Sequence, residues 1–283
     1  MYNMHNKKVV LAMSGGLDST TLCGWYLDHG YQVYPIIFNY GSKHNKYENQ
    51  AAIKICDFWR LDYKFIKLDF MKNIAKSNLM IGGGDIPEGH YKDENMKLTV
   101  VPGRNLIFAS ILASYAESIE ADIIALGVHA GDHSIYPDCR PEFITALKDV
   151  VKISTDWKID VAVPFLNRTK DQVLKAGLSL RRIMVPYLMT RTCYKDQELS
   201  CGKCGSCIER LEAFKINGKA DPVNYQDYQD YQEHTITITY ESNMVKNSTF
   251  KDLFHKAIYE QGQDALNMLT KGIVSIKNFY PDK

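Results

Sequence analysis

The stretch VVLAMSGGLDSTTLCGWYL (residues 9–27) joins an apolar run to a helical pattern through a turn of glycines and hydroxyl side chains. The run at residues 8–13 is typical of a strand buried on both faces, and Leu22, Trp25 and Tyr26 recur on one side of the following helix. A turn of this kind directs backbone N–H groups and the positive end of the helix dipole toward an anion. The stretch therefore predicts an anion-binding loop at the end of the first strand.

The loop SGGLDST (residues 14–20) differs from the Walker phosphate loop, because it is shorter and has no lysine. We expect it to hold a compact pyrophosphate and, at Asp18, a magnesium ion or backbone hydrogen bonds. A site that grips pyrophosphate suits a reaction that transfers AMP from ATP to a substrate. The alternative is a glycine turn that only lets the strand and the helix pack together. The residues expected to contact the nucleotide are Ser14, Gly15, Gly16, Leu17, Asp18, Ser19 and Thr20.

Strand and helix patterns alternate beyond this loop. Residues 47–59 and 106–116 have helical spacing, and three further apolar runs predict strands. These predicted strands are residues 31–41, 63–70 and 121–128. Strands buried on both faces that alternate with helices indicate a parallel α/β sheet covered by helices on each side. Residues 72–99, which include GGGDIPEGH, are expected to form a loose excursion over one sheet edge, either a lid or a passive connection.

The composition is that of an ordinary soluble globular protein. The chain has 283 residues, a hydrophobic content of 45%, a charged content of 24% and a formal net charge of +1. This balance does not call for a direct nucleic-acid partner. No segment reaches the roughly 20 consecutive apolar residues that a membrane span needs, and the amino-terminal apolar run is too short for a signal peptide. We therefore expect a cytoplasmic protein without a membrane partner.

Four of the seven cysteines lie close together in the sequence, with the spacing C-x7-C-x2-C-x2-C. They are Cys193, Cys201, Cys204 and Cys207. Without a secretory signal, a disulfide scaffold is not expected, whereas four thiolates at this spacing can surround one zinc ion tetrahedrally. A site filled by four protein ligands is structural. An iron–sulfur cluster is the alternative that cysteine ligands leave open.

Two polar segments follow predicted strands and are candidates for substrate contacts. In VVPGRNLIFAS (residues 100–110), Arg104 and Asn105 stand at a helix start, where the planar guanidinium suits phosphate or carboxylate. The alternative is a surface arginine beside a capping asparagine. Lys170, in NRTK, precedes another helix and is either a catalytic cation or a solvated lysine.

The loop GVHAGDHSIYPDCRPEF (residues 127–143) lies beyond the carboxyl end of a predicted strand, where open parallel sheets bind ligands. Its side chains are suited to a flat heterocycle that carries hydrogen-bond donors and a carboxylate. The candidates are Asp132, Tyr136, Asp138 and Arg140. The alternative is a metal site made by His129, Asp132 and His133.

The composition changes after the cysteines, which divides the chain into three predicted parts. YQDYQDYQ (residues 225–232) is typical of a connection, HTITITY (residues 234–240) alternates as a strand, and Ser248 could cap a helix. We predict a nucleotide-binding domain at residues 1–190, a four-cysteine region at 191–225 and a small strand–helix appendage at 226–283.

Four motifs together resemble one family. SGGLDS, VPGRN, YPDCRPEF and CGKCGSCIERLEAF occur here in the order and spacing of the 7-cyano-7-deazaguanine synthases, which belong to the PP-loop ATP pyrophosphatases. The resemblance implies a PP-loop sheet of the adenine nucleotide alpha hydrolase type, a homodimer and a four-cysteine zinc site. We expect Asp18, Arg104 and Lys170 to serve catalysis, and the resemblance implies that Tyr40, Gly41 and His44 lie on the adenosine side. The sequence TRTCY departs from the tryptophan and serine that commonly precede the first zinc cysteine of the family.

The resemblance implies a reaction as well. The family uses ATP to activate the carboxylate of 7-carboxy-7-deazaguanine as an acyl adenylate. Ammonia then gives the amide, and a second activation with loss of water gives the nitrile, a precursor of queuosine and archaeosine.

Two other functions remain open from the sequence. Synthase-like proteins of antiviral operons join the same deazaguanine to a protein amine, and the appendage would then dock the acceptor protein. A nucleotide-binding module without turnover is the second alternative, and the complete set of motifs speaks against it.

Overall fold

The computed structural model describes residues 7–90 and 94–226 of the chain. The predicted C-terminal appendage, with the exception of its first residue, lies outside these residues, as do its strand at 234–240 and its helix after Ser248. The three-part division of the chain therefore stays a prediction.

A five-stranded parallel sheet forms the centre of the described structure, in the order β3–β2–β1–β4–β5. The strands are β1 (Lys8–Ala12), β2 (Gln32–Asn39), β3 (Lys64–Lys67), β4 (Ile123–Ala125) and β5 (Asp160–Ala162). The central strand β1 places Val10 opposite both Tyr34 of β2 and Ile124 of β4. The predicted parallel α/β sheet is thus confirmed. The expectation that every strand is buried on both faces is wrong for β3, because it is an edge strand with mostly exposed side chains.

Helices cover both faces of the sheet. They are α1 (Leu17–Asp28), α2 (Asn45–Phe58), α3 (Met71–Ile74), α4 (Arg104–Ser118), α5 (Pro141–Ser154), α6 (Lys170–Leu178) and α7 (Gly205–Ile216). Val10 points into a core shared with α4 and α5, whereas Val9 and Leu11 point into a core shared with α1, α2, α6 and α7. This alternation follows from the two-residue period of a strand. Within the described residues, none of the helices combines the length and apolar character needed to cross a membrane.

The strand order changes direction at β1. The chain runs from β1 outward to β2, while β4 lies on the other side of β1. Loops that leave the carboxyl ends of β1 and β4 therefore part there, and open parallel sheets bind ligands at such a point.

The excursion between β3 and α4 packs more closely than its sequence suggests. Leu79, Met80 and Met96 are buried in the core beside α4, because the segment folds back against the ends of β2 and β3. Further along, Gly89 donates its N–H to the Lys203 carbonyl at 3.1 Å. The described part of the excursion thus joins the sheet edge to the cysteine region.

Candidate active site

The loop after β1 is built by close packing and by its own hydroxyl groups. Gly15 has a φ of +79°, and a Cβ atom at this position would lie 2.5 Å from the Ala52 nitrogen of α2. Only glycine allows this approach. The Ser14 hydroxyl accepts a hydrogen bond from the Gly16 N–H at 3.2 Å and lies 3.0 Å from the Ser19 hydroxyl. The turn is therefore fixed before any ligand binds.

The amino-terminal turn of α1 is open to an outside acceptor. Gly16 is its N-cap and provides no side-chain cap, so the first N–H groups of the helix have no intrahelical partner. Gly127, which follows β4, packs against this turn, since a Cβ there would lie 3.3 Å from the Ser19 nitrogen. The loops of β1 and β4 thus frame one anion-binding helix end.

Lys170, the first residue of α6, is directed into this same place. Its ammonium donates a hydrogen bond to Asp18 Oδ2 at 2.9 Å and lies 3.2 Å from His129 Nε2 and 3.1 Å from Glu209 Oε2. The side chain of Lys170 is only 8% exposed. The alternative of a solvated first-turn lysine is therefore wrong.

Both partners of the Asp18–Lys170 pair are held in their charged forms. Burial would raise the pKa of Asp18, but Lys170 and then His129 outweigh it and hold the pKa of that carboxyl below its usual value. Burial likewise opposes the charge on Lys170, yet Asp18 and Glu209 raise the pKa of its ammonium above the usual range. The site therefore contains a fixed cation next to the anion-binding loop at neutral pH.

Asp18 fits the magnesium ion that a PP-loop site implies. Its Oδ1 atom is buried and has no hydrogen-bond partner within the part of the chain that the structure describes. A carboxylate oxygen of this kind is a preferred magnesium ligand, and magnesium commonly takes one or two carboxylates together with substrate phosphates.

Arg104 is the second cation near the carboxyl ends of the strands. It begins α4, and its guanidinium lies 5.9 Å from the ring centres of both Tyr40 and Tyr136. Its Nη1 also donates to the Tyr40 hydroxyl at 3.4 Å. Burial opposes its charge, but Tyr40 and Tyr136 raise the pKa of Arg104 well above its usual value. The aromatic faces thus hold a permanent cation in a fixed orientation.

Asn105 and Asp138, two predicted substrate contacts, are bonded to each other. Asp138 Oδ2 accepts the Asn105 backbone N–H at 2.9 Å, and Asn105 Nδ2 donates to the Asp138 carbonyl at 3.1 Å. These bonds fix the loop after β4 to the start of α4. Contact of either residue with a substrate stays a prediction.

The other predicted residues of this loop also have partners in the protein. The Tyr136 hydroxyl lies 3.0 Å from the Thr99 hydroxyl, and Arg140 Nε donates to the His133 carbonyl at 3.0 Å. Asp132 Oδ2 lies 3.7 Å from His129 Nε2. Tyr136 is buried and Arg140 is exposed, so they occupy different depths of the loop.

The turn after β2 contains the predicted adenosine-side residues. Asn45 accepts hydrogen bonds from the N–H groups of Tyr40 at 3.1 Å and Ser42 at 2.9 Å, which fixes Gly41 at a φ of +81°. His44 is buried, and its Nε2 lies 3.2 Å from Glu48 Oε2. The turn is thus shaped by Asn45, a residue that sequence reasoning missed.

The four cysteines form a metal-binding group. Their sulfur atoms all lie within 4.8 Å of one another, and all four residues are buried. Tetrahedral zinc with bonds of about 2.3 Å separates its sulfur ligands by about 3.8 Å, which this arrangement fits. Neighbouring thiols lower the pKa of Cys201, with Cys193 the largest cause, but raise that of Cys207. Four thiolates this close together would repel one another, and a bound cation would offset that repulsion.

Within the described residues, this cysteine group is the one set of three or more cysteine, histidine or acidic side chains close enough to share an ion. The alternative metal site at His129, Asp132 and His133 is therefore not supported by the geometry.

Replacing Cys204 with serine should release the metal. The purified variant is expected to contain almost no zinc and to unfold at a lower temperature, because a structural site contributes its binding free energy to folding. Zinc content by atomic emission and thermal unfolding measure both effects. The matched control is Cys23→Ala, which removes a buried thiol outside the group and should retain zinc. Unchanged zinc in the Cys204 variant would refute the four-cysteine site.

Arg191, which lies just before the cysteines, is hydrogen-bonded to the loop after β1. Arg191 donates its backbone N–H to the Gly15 carbonyl at 2.8 Å. Its guanidinium donates to the carbonyls of Lys195, Gln197 and Glu198 at 3.0, 2.6 and 2.7 Å. The departure TRTCY therefore places a buried arginine that organises the turn leading to Cys201.

Sequence reasoning missed two charged residues of α7 that make ion pairs, Glu209 and Arg210. Glu209 reaches Lys170, and Arg210 pairs with Asp221 inside the core. The available signal was the sequence IERLEAF, in which charges fall on the otherwise apolar face of a helix.

Comparison with known proteins identifies the family. Residues 8–218 match the family model described as Queuosine biosynthesis protein QueC. The match covers most of the chain and includes the nucleotide loop, Arg104, Lys170 and all four cysteines. The chain belongs to the QueC family. The resemblance inferred from the motifs is thus confirmed, and so is the PP-loop fold class with its cysteine group.

Two relatives show how far QueC similarity extends. The 7-cyano-7-deazaguanine synthase of Marinomonas sp. (strain MWYL1) is 43% identical over 221 residues, which cover 78% of this chain and 99% of the relative. The protein of the same name from Methanoregula boonei is 46% identical over 220 residues, 77% of this chain and 99% of the relative. The solved structure of NMN synthetase from Francisella tularensis is a distant likeness, with a TM-score of 0.39 and 12% identity over 98% of this chain and 91% of that chain.

Proposed function

We propose that this QueC-family chain is an ATP-dependent ligase that adenylates the carboxylate of 7-carboxy-7-deazaguanine and, with ammonia, forms 7-cyano-7-deazaguanine, AMP and pyrophosphate. The names of its relatives support the product. The observation that carries the proposal is the hydrogen bond of 2.9 Å between Lys170 and Asp18 at the open end of α1. A cation and a carboxylate side by side at this helix end are suited to the binding and cleavage of a triphosphate.

The loop residues bind the departing pyrophosphate. N–H groups from Gly15 to Ser19 and the hydroxyls of Ser14 and Thr20 are suited to phosphate oxygens. Lys170 stabilises the negative charge that develops when the bond to the α-phosphorus breaks. Magnesium bound at Asp18 would neutralise phosphate charge, and zinc bound by the four cysteines would stabilise the fold.

Arg104 and the loop after β4 bind the substrate 7-carboxy-7-deazaguanine in this proposal. The guanidinium of Arg104 is suited to a carboxylate or to the phosphoryl group of the adenylate. In this proposal Asp132, Tyr136, Asp138 and Arg140 recognise the deazapurine, and Tyr40, Gly41 and His44 contact the adenosine. The protein needs no nucleophile of its own, because ammonia attacks the activated carbonyl and the protein contributes positioning and electrostatics.

The test of adenylation is the identity of the nucleotide product. Incubation with ATP, magnesium and 7-carboxy-7-deazaguanine should give AMP and pyrophosphate at a rate that depends on the acid. Release of ADP and phosphate would contradict the proposal, as would AMP release at a rate that does not depend on 7-carboxy-7-deazaguanine. We also expect a cytoplasmic homodimer without direct nucleic-acid or membrane partners, and light scattering measures the oligomeric state.

A second candidate function transfers the activated acid to a protein amine. The observation that favours it is length: the two relatives are covered almost completely by about three quarters of this chain, and the family match ends at residue 218. The additional residues would then bind an acceptor protein. Intact mass spectrometry after reaction with a candidate acceptor tests this function, since an amide bond adds the deazaguanine acyl group to the acceptor mass.

Replacing Arg104 with glutamine should lower kcat/KM for the acid by about 10²-fold, because a fixed cation at the reacting group is lost. Arg104→Lys should recover only part of this rate, since lysine lacks the planar fork. The control is Arg181→Gln, whose side chain is exposed and distant in sequence from the motifs. Initial rates of AMP formation at several acid concentrations give the result, and a normal rate in the glutamine variant would remove Arg104 from the site.

A further inference from the structure

Helix α7 begins at the metal-binding cysteines and, through the carboxylate of Glu209, contacts Lys170 beside the loop after β1. Cys204 is the N-cap of α7 and Cys207 lies in its first turn, so the metal site fixes how the helix begins. Glu209 follows within the next turn, and its Oε2 atom lies 3.1 Å from the ammonium of Lys170. The side chain of Glu209 is 14% exposed. One short helical segment therefore joins the cysteine site to the cation of the proposed active site.

The two carboxylates around Lys170 are not equivalent. Asp18 Oδ2 accepts a hydrogen bond from the ammonium at 2.9 Å. Glu209 is in ion-pair contact, but its Oε2 atom is buried and accepts no hydrogen bond within the described residues. Asp18 Oδ1 is buried and unbonded in the same way. Two acidic side chains thus share one cation, and each has one buried oxygen without a hydrogen bond.

This arrangement would allow the ammonium of Lys170 to shift its hydrogen bond from Asp18 to Glu209. A magnesium ion bound at Asp18 Oδ1 would repel the ammonium of Lys170 and draw charge from the carboxylate, which would weaken the bond from Lys170 to Oδ2 of the same side chain. A buried ammonium that loses its partner is strongly disfavoured. Glu209 Oε2 is already within hydrogen-bond distance and needs only a rotation of the ammonium to become an acceptor.

We propose that Glu209 is a positioning residue that holds Lys170 while Asp18 binds the magnesium of the nucleotide. The inference rests on the proposed function, because it requires Asp18 and Lys170 to meet a metal-bound triphosphate. Without Glu209, Asp18 is the one carboxylate among the described residues in ion-pair contact with Lys170, and the ammonium retains it. The metal then has to compete with the ammonium for Asp18, so metal binding weakens. The cysteine site, which fixes the start of α7, thereby helps to position Lys170 through Glu209.

The test is the isosteric substitution Glu209→Gln in the full-length, zinc-loaded protein. Binding of Mn²⁺ in the presence of the α,β-methylene analogue of ATP is measured by electron paramagnetic resonance, a readout that does not depend on turnover. We expect the Mn²⁺ dissociation constant to rise about tenfold and kcat to fall about tenfold, with the KM for the acid unchanged. Glu209→Asp, which keeps the charge, should bind Mn²⁺ more tightly than the glutamine variant.

The matched control is Glu212→Gln on the same helix. Glu212 is 48% exposed and pairs with His90 at 3.3 Å, away from Lys170. This variant should bind Mn²⁺ and turn over as the unaltered protein does. Zinc content and thermal unfolding of all three variants should remain unchanged.

Normal Mn²⁺ affinity and kcat in Glu209→Gln would overturn the inference. Loss of zinc or of folding in that variant would also overturn it, since the role of Glu209 would then be structural. The proposed function is judged separately by acid-dependent AMP formation in the unaltered protein. If that reaction occurs while Glu209→Gln is normal, the function stands and only the exchange fails; if the unaltered protein forms no acid-dependent AMP, the proposed function fails as well.

Discussion

Replacing Asp18 with asparagine is expected to lower kcat for AMP formation by about 10³-fold, the size of effect seen when a preorganised electrostatic group is removed. Asparagine has the same shape, so the fold should persist. It has no charge, however, and Lys170 would lose the carboxylate to which it is hydrogen-bonded at 2.9 Å. The oxygen suited to magnesium would become a weaker neutral ligand.

The measurement is the steady-state rate of AMP release at saturating ATP and acid, with circular dichroism as a check on folding. Asp57→Asn provides the control, because it makes the same change at an exposed position of α2. A rate within a few-fold of the unaltered protein would exclude Asp18, and with it the loop of β1, from the chemistry.

Replacing Arg210 with methionine should lower the free energy of unfolding by about 3–5 kcal/mol, the cost of breaking a buried ion pair on one side. Arg210 donates to the two carboxylate oxygens of Asp221 at 2.7 and 2.9 Å, and the two side chains are 1% and 0% exposed. Its Nη1 also donates to the Thr190 hydroxyl at 2.6 Å. Methionine fills similar space but removes the charge that Arg210 sets against the buried carboxylate of Asp221.

Urea unfolding of the zinc-loaded protein measures the loss. The double variant Arg210→Met, Asp221→Leu should regain much of it, because removing both charges removes the uncompensated one. Arg181→Met, at an exposed site, should change stability by less than about 0.5 kcal/mol. A similarly small change for Arg210→Met would show that the pair does not support the fold.

The sheet and its nucleotide loop could be predicted because their signals are local. Apolar runs identified β1, β2, β3 and β4, and the glycines with their hydroxyl neighbours identified the loop between β1 and α1. The strand β5 was not predicted, since its three residues, Asp160–Ala162, begin with an exposed aspartate and do not lie in a long apolar run like residues 121–128 around the equally short β4. The edge position of β3 depends on the strand order, which no local pattern contains.

The site could be predicted only in part, because its contacts join distant segments. Lys170 was ambiguous, and its burial depends on α6 and α7 meeting the loop of β1. The contact of Glu209 with Lys170 could not be predicted for the same reason. Asn105 and Asp138 were found as polar residues near the site, but their pairing depends on how the loop after β4 returns to α4. Spacing identified the four cysteines, since most of their geometry is local.

The most direct test of the central claim is mass spectrometry of a reaction that contains the protein, 7-carboxy-7-deazaguanine, ATP, magnesium and ¹⁵N-labelled ammonium. The proposed function predicts 7-cyano-7-deazaguanine that carries the label in its nitrile, with one AMP released for each of the two activations. AMP without a labelled amide or nitrile would contradict ammonia as the acceptor and direct attention to a protein amine. No acid-dependent AMP from folded, zinc-loaded protein would contradict the adenylation itself.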